Sequence, residues 1–557
     1  MRFAGVIGLA VLTGSVLAGR QAGAASLTAA GCTGPFAQVT SPAPGAFDNV
    51  LFATAASGPG DMWAVGRQSI TSGYQNLIIF NGGHGWSQIA SPNPGKTPNY
   101  DWLESVSASG PSDAWAAGTY ATGDPSKPFA PEALHWDGSS WTSVPLPALP
   151  GEVDSDPGVG ILDISPTDAW LVGSWLRGGI GRSFIAHWNG TAWSLVTHPA
   201  VNALTHLAAS GPKDVWADGT GAGPSFPAVI EHYNGSRWTR SASLPGIGLN
   251  GLTSVSRHQA WAVGSKLGGL PTGNGTVAVE WNGSAWNVVP TPDSSTAGSS
   301  LRDVTAVPGG GLWAVGNEDD VSTGFGFSEP VAMHWDGTAW TAVPAIGVGG
   351  SSGGFTGTLT GVVAPTASRV ITVGWGATQR VSLVANLCPF TVSDTGIAPA
   401  TAQTSGPGAA AYWEIPASDK TGHELVDGSG FGLFDSGPKA PGSSYAFAFP
   451  ASGTYTVTDR SDGATEKVRV PILNWNSSGS RTELQWADAA PPAGAHFEVQ
   501  MMAPGSTRFV HFKDTTKAIG GVGRHLPAGT YKFRSRMRNP ASGVTTGWSP
   551  VLTVTLS

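Results

Sequence analysis

Two kinds of side chain recur in this sequence at spacings that could do chemistry. Imidazoles stand at His135, His187, His232 and His334, each followed by an aromatic residue and an Asn-Gly or Asp-Gly pair; carboxylates stand at Asp61, Asp113, Asp168 and Asp214, each two residues before a Trp. Histidine and aspartate together can ligate a metal or serve as base and orienting acid of a hydrolase. Their recurrence argues against both. Equivalent residues of a repeat occupy equivalent places in successive units, so they do not converge on one ion unless they line a common axis. We therefore read them as structural, the carboxylates accepting backbone hydrogen bonds at the turns that begin a strand. No catalytic residue and no metal ligand is assigned, and the chain has no serine nucleophile elbow, no His-Glu-x-x-His and no phosphate loop.

The repeat that positions these residues has two halves. The first reads Asp168-Ala-Trp170-Leu-Val-Gly173, with copies at Trp63, Trp115, Trp216, Trp261 and Trp313 and a degraded copy ending at Gly374; the second reads His187-Trp188-Asn189-Gly190-Thr-Ala-Trp193. Each unit divides into four short strands, in the second unit Leu103 to Ser107, Ala114 to Gly118, Glu132 to Trp136 and Trp141 to Val144. The Asn-Gly or Asp-Gly step predicts a type I′ hairpin between the last two. A four-stranded sheet cannot bury both faces alone, so such units stack radially into a propeller. The last unit lacks its fourth strand, and Phe36 to Gly45 matches Trp86 to Gly95 position by position, so the N-terminal strand is expected to close the ring. With these motifs, residues 33–389 resemble a kelch-type seven-bladed β-propeller of secreted bacterial proteins.

Composition agrees with an all-β chain: among 557 residues only 12% are charged, while Gly (79), Pro (42) and Trp (23) abound. A formal charge of -8 and a pI near 5.8 exclude electrostatic binding of nucleic acid. Arg2, the apolar run from Phe3 to about Ala18 and the small residues Ala22-Gly-Ala24 read as a signal peptide over residues 1–24, which makes the protein secreted or cell-surface associated, without membrane insertion. The only cysteines, Cys32 and Cys388, bracket the repeats, and in an exported protein a disulfide between them would latch the ring.

Function on such a frame is expected in loops of unequal length. Asp101 and Trp102, Asp154 and Asp156, Trp175, Arg177 and Arg182, and Asp319 and Asp320 lie in such segments and are expected to form an acidic, aromatic-edged funnel suited to a polyhydroxylated ligand or a Ca²⁺ ion. After a Ser/Thr/Gly/Ala-rich linker at 391–410, residues 411–471 resemble a cupredoxin through His423, Phe431 to Gly437 and Gly453-Thr-Tyr455. Asp459 and Asp462 stand where that family's Cys and second His ligate copper, so no blue-copper site is expected. Residues 474–557 resemble a fibronectin type III domain through Thr482 to Trp486, Tyr531 to Asn539 and Trp548-Ser-Pro550. The expected whole is an all-β, monomeric binding protein, a seven-bladed propeller followed by two small β-sandwiches, that recognises a glycan or an extracellular protein and carries no resident cofactor. The rival readings are a polysaccharide hydrolase or lyase with its site on the propeller loops, and a purely structural envelope component.

Overall fold

The structure, a computed structural model, describes residues 36–556 apart from 46, 97–98, 126, 150–158, 178–179, 224–225, 268–274, 293–297, 321–326, 345–356, 367–368, 377–381, 388–389, 405, 408–409, 417, 479–480 and 523–525. Every regular element among the described residues is a β-strand. Blades 1 to 7 occupy residues 49–89, 99–143, 160–196, 203–244, 247–289, 298–344 and 357–387, each an antiparallel sheet whose inner strand comes first in sequence. The inner strands lie side by side around an axis, and Gly357–Thr366 of blade 7 returns against Asn49–Gly58 of blade 1. Phe36–Gln38 supplies the missing outer strand of blade 7, with Phe36 opposite Leu387. Cys32 and Cys388 lie just outside the described residues.

The Trp-Ala-Val-Gly strand is the second of each blade. Both faces of a blade pack on neighbours, so this strand is apolar throughout, and Trp63, Trp115, Trp216 and Trp261 are fully buried. Each Trp inserts between the aromatic pair of the following blade: Trp115 lies 5.1 Å from Trp188 and 5.0 Å from Trp193, and Trp170 lies 4.9 Å from Tyr233 and 5.4 Å from Trp238. The glycine ending the phrase faces a bulge in the inner strand, as between Leu103 and Ser105. A Cβ on Gly118 would lie 2.0 Å from the Trp102 carbonyl oxygen, and one on Gly264 1.9 Å from that of Gly248, so no larger residue fits.

The outer hairpin departs from the expected two-residue turn. Trp136 pairs with Trp141, leaving four residues in the loop. Asp137 Oδ1 accepts the Ser139 and Ser140 N–H groups at 2.8 and 2.9 Å, and Gly138 takes a φ of 93°. The Asn-Gly or Asp-Gly step therefore works through the side-chain acceptor of its first residue as much as through the glycine.

Residues 391–410 are not a linker. Phe390–Ser393 pairs in parallel with Ala410–Glu414, and Thr401–Gln403 pairs in parallel with Thr465–Val470, so most of this segment is built into the two four-stranded sheets of the first sandwich. The second sandwich packs a three-stranded sheet (Leu473–Ser478, Arg481–Gln485, Ile519–Val522) on a four-stranded one (Val510–Thr515, His496–Met502, Gly529–Arg538, Leu552–Leu556). One continuous hydrophobic core runs through both, from Phe390 to Leu556, and backbone bonds from Ser452 N to Trp486 O (2.8 Å) and Thr454 N to Gly547 O (2.9 Å) stitch them together.

The first sandwich also completes the propeller. In blade 7 the third strand ends in Leu387 where blades 2 to 6 place an aromatic residue, and Tyr412 and Phe36 lie against Trp313, ring centroids 5.3 and 5.4 Å away. His334, which faces Gly311 where blades 1 to 4 have Asp, contacts Ser444 Oγ through Nδ1 at 3.0 Å. Burial at this seam depresses the His334 imidazole to about 4 and pushes the Tyr412 hydroxyl well up.

Candidate functional site

The ring has two ends. At one lie the short turns before each Trp strand and the outer hairpins; at the other, the loop face, the inner strands begin and the second and third strands connect. The repeated His and Asp residues sit at the first end, and in blades 2 to 4 they are mutually engaged. His135 Nε2 lies 2.8 Å from Asp113 Oδ1, Asp113 Oδ2 accepts the Ser109 hydroxyl at 2.5 Å, and the imidazole lies 4.5 Å from the Trp115 ring. His187 with Asp168 (2.8 Å) and His232 with Asp214 (2.6 Å) repeat the pairing. These carboxylates thus accept from side chains rather than from the backbone alone, and the repetition marks a device of the blade.

The loop face redistributes the expected funnel residues. Asp101 is fully buried, and its Oδ1 accepts the Gly95 N–H at 2.7 Å, so it organises the loop leading into blade 2. Trp175 is 8% exposed and packs between blades 2 and 3, opposite Arg182, which is exposed. Arg177 pairs with Ile180 at the tip of its hairpin, and Asp319 and Asp320 pair with Ser328 and Phe327 at the tip of theirs. Asp154 and Asp156 fall outside the described residues. Trp102 remains half-buried on the face, its indole N–H donating to Glu104 Oε1 at 2.6 Å and its ring 5.7 Å from Phe129. Glu104 Oε2 accepts the Val159 N–H at 2.7 Å, and the buried Glu132 accepts from Asn76 Nδ2 at 2.9 Å. Burial holds Glu132 well above the usual carboxylate range, with Asn76 opposing and Asp101 and Glu104 adding to it.

Among the described residues this face offers solvent apolar and aromatic side chains beside charged ones such as Lys96, Lys127 and Arg182. Phe47 (79% exposed), Ile180 (59%), Phe226 (57%) and Leu267 (47%) stand in its connecting segments. Tyr74 and Tyr100 pair at 5.8 Å across the first two blades, with the Arg67 guanidinium 4.2 Å over Tyr74. Phe226 has a φ of 39°, in the left-handed region that bulky residues seldom adopt.

A polar cluster that the sequence reading did not single out lies on the inner strands. Asp218 stands where the other blades have an apolar residue before the glycine, and its Oδ1 lies 2.7 Å from His206 Nδ1 and 3.3 Å from the Thr205 hydroxyl. Burial alone would depress the His206 imidazole, but Asp218, with a contribution from Asp303, outweighs it and holds the group above its ordinary value. Asp303 stitches blades 6 and 7, accepting the Val304 and Val362 N–H groups at 2.8 Å each; burial pushes it up to about 6 against those bonds and the attraction of His206. An imidazole with Nδ1 held by a carboxylate is oriented to act through Nε2. The visible signal was one deviation, Trp216-Ala-Asp218-Gly219, in a phrase otherwise ending Val-Gly or Ala-Gly.

In the first sandwich, His423 Nδ1 lies 2.5 Å from Asp459 Oδ2. The sequence resemblance puts Asp459 where a cupredoxin has its copper-binding thiolate; an Nδ1 committed to a carboxylate, with no thiolate beside it, does not fit blue copper. In the second sandwich the Arg534 guanidinium stacks 4.2 Å from the Phe509 ring and 4.3 Å from the Trp548 ring, and Arg536 lies 4.3 Å over Trp548. This basic strand packs over aromatic rings.

Comparison with known proteins returns β-propellers among the solved structures. No known protein-family profile matches it, and no curated protein sequence matches it. Among solved structures it is similar to the six-bladed fucose-binding lectin of Aleuria aurantia (12% identity, 54% of this chain and 98% of that one, TM-score 0.35). It is similar also to the GH74 xyloglucanase of Xanthomonas campestris (12% identity, 92% and 74%, TM-score 0.40) and to the propeller domain of the Pyrococcus furiosus Trilobed protease, of open velcro topology (8% identity, 60% and 94%, TM-score 0.38). At these scores the likeness carries no argument, and the blade number rests on the chain's own sheets.

Proposed function

We propose that this is a secreted carbohydrate-binding protein that holds its ligand on the loop face of the propeller without cleaving it. One observation carries the reading. The loop face exposes aromatic rings, Phe47 and Phe226 with the Tyr74–Tyr100 and Trp102–Phe129 pairs, while Glu104 accepts structural hydrogen bonds through both oxygens and Asp101 and Glu132 through one each. Rings of this kind stack on the apolar faces of sugars. The two sandwiches, read as a cupredoxin-like domain without copper and a fibronectin type III domain, form an arm fixed to the ring. The second is supported by its three-plus-four strand arrangement and by the Tyr531 hydroxyl, which donates to Pro527 O at 2.9 Å in the manner of a tyrosine corner.

A hydrolytic reading would rest on the His206–Asp218 pair. The experiment that separates the two reads one polysaccharide panel twice, for retention of the full chain and for release of reducing ends. Retention without release is expected. Release that disappears in His206→Ala would replace the binder with an enzyme acting through that pair.

A further inference from the structure

His423 is 1% exposed, and only one of its ring nitrogens has a hydrogen-bond partner. On the Nδ1 side stands Asp459, whose other oxygen accepts the Glu424 and Ser461 N–H groups at 3.2 and 2.9 Å. An ionised carboxylate in that position places the ring proton on Nδ1 and leaves Nε2 as a lone pair, the arrangement that recurs behind metal-bound histidines. Nε2 is buried with no hydrogen bond. Two further carboxylates flank it beyond hydrogen-bonding range, Asp394 Oδ1 at 3.7 Å and Asp419 Oδ2 at 3.6 Å. The Asp419 oxygen is itself buried without a hydrogen bond, and the three atoms lie within 4.8 Å of one another.

We propose that His423 Nε2, Asp394 and Asp419 form a binding site for a divalent first-row transition ion of the Zn²⁺ type. Two of the three acceptors, His423 Nε2 and Asp419 Oδ2, are buried without a hydrogen bond, and a cation held between them and Asp394 satisfies both. Two ligands each about 2.1 Å from one ion and about 120° apart are themselves about 3.6 Å apart, the spacing found here. The imidazole argues against Ca²⁺ and Mg²⁺, which take oxygen. Asp394 is oriented from behind, accepting the Lys420 N–H on Oδ2 at 3.0 Å and the Thr421 hydroxyl on Oδ1, and its carboxylate is 34% exposed, which leaves a route for the ion and for a water as fourth ligand. Asp394 belongs to the turn between Phe390–Ser393 and Gly396–Ala398, and Asp419 and His423 to the segment before Leu425–Asp427. The ion would clip these two segments, tying the first strand after the propeller into the sandwich. The site lies on the opposite ring nitrogen from Asp459 and Asp462, the positions of the absent copper ligands.

The test is titration of Zn²⁺ into the chelator-stripped, untagged full chain by calorimetry. One equivalent is expected, with a rise in the unfolding temperature of the sandwiches that chelator reverses. Asp394→Asn and Asp419→Asn, combined, lower affinity by about 100-fold or more, at least about tenfold each, while Asp462→Asn on the Nδ1 side leaves it unchanged. Near-UV circular dichroism matching the parent shows that the variants are folded. In ¹⁵N NMR the His423 Nε2 resonance moves on metal addition. No uptake by the parent, uptake that survives in the double variant, or loss through Asp462→Asn alone would each overturn the assignment. So would an Nε2-bound proton that persists with Zn²⁺ present, which would make His423 a cation among three carboxylates.

Discussion

Replacing Tyr412 by alanine tests whether the C-terminal arm is part of the ring or only follows it. The side chain is 4% exposed, its ring centroid is 5.3 Å from Trp313 and 5.7 Å from His334, and it belongs to the same core as Phe36 and Leu359. A buried aromatic ring of this size removes about 150 Å² or more from water, worth roughly 4 kcal/mol, and large-to-small changes at such sites cost about 3–5 kcal/mol. That loss falls on two domains at once, because the cavity opens beside Trp313 of blade 6 and beneath the sandwich strand Ala410–Glu414. In calorimetry Tyr412→Ala is expected to lower the melting temperature of the propeller and to separate its transition from that of the sandwiches, with new proteolysis near residues 388–410. Tyr412→Phe, which keeps the ring, costs about 1 kcal/mol. A propeller transition unmoved by Tyr412→Ala would refute the claim that the arm completes blade 7.

Other outcomes follow from the same geometry. Asp163 is buried, and desolvation, with Asp113 nearby, pushes it up to about 7 against the Ser109 N–H bond. The folded chain therefore holds its proton more tightly than the unfolded one, and this contribution to stability is present below about pH 4 and lost as pH rises through about 7; Asp163→Asn should raise the melting temperature at pH 8 and flatten its pH dependence between pH 5 and 8. His334 carries the opposite sign: its imidazole is depressed to about 4, so its contribution holds above about pH 6.5 and is lost as pH falls through about 4. A glutamine there should weaken the acid response of the seam in the same melting series. Peptide mapping without reductant should recover Cys32 linked to Cys388, and the double serine variant should lose about 2–4 kcal/mol of propeller stability in denaturant titration.

The ring was legible because its parts are repeated. Phe36 to Gly45 copies Trp86 to Gly95, and the copy closes blade 7 as expected. Trp115 and the Trp188–Trp193 pair recur at fixed offsets, so their packing is a property of any adjacent pair of blades. Tyr412 was not legible, since it fills a gap in the repeat from outside the repeat, and only the fold brings it to Trp313. Residues 391–410 misled because their composition is that of a linker while their strands pair in parallel with distant partners, which local pattern does not reveal. Asp101 and Trp175 were expected on the funnel but turn inward, because strand alternation and the blade interface, rather than loop membership, decide where they point. Asp218 was visible as a broken phrase, and His206 became notable only once the sheet register placed it opposite.

The central claim is that the loop face binds carbohydrate through its aromatic surface. The direct measurement is the dissociation constant for a glycan retained by the full chain, compared between the parent and the variants Phe47→Ala, Trp102→Ala and Phe226→Ala, with Leu195→Ala, an exposed residue on the outer strand of blade 3, as control. Each loop-face variant is expected to weaken binding by tenfold or more, about 1.4 kcal/mol each, and the control to leave it unchanged. Equal affinity in all four variants would place the ligand elsewhere and contradict the account.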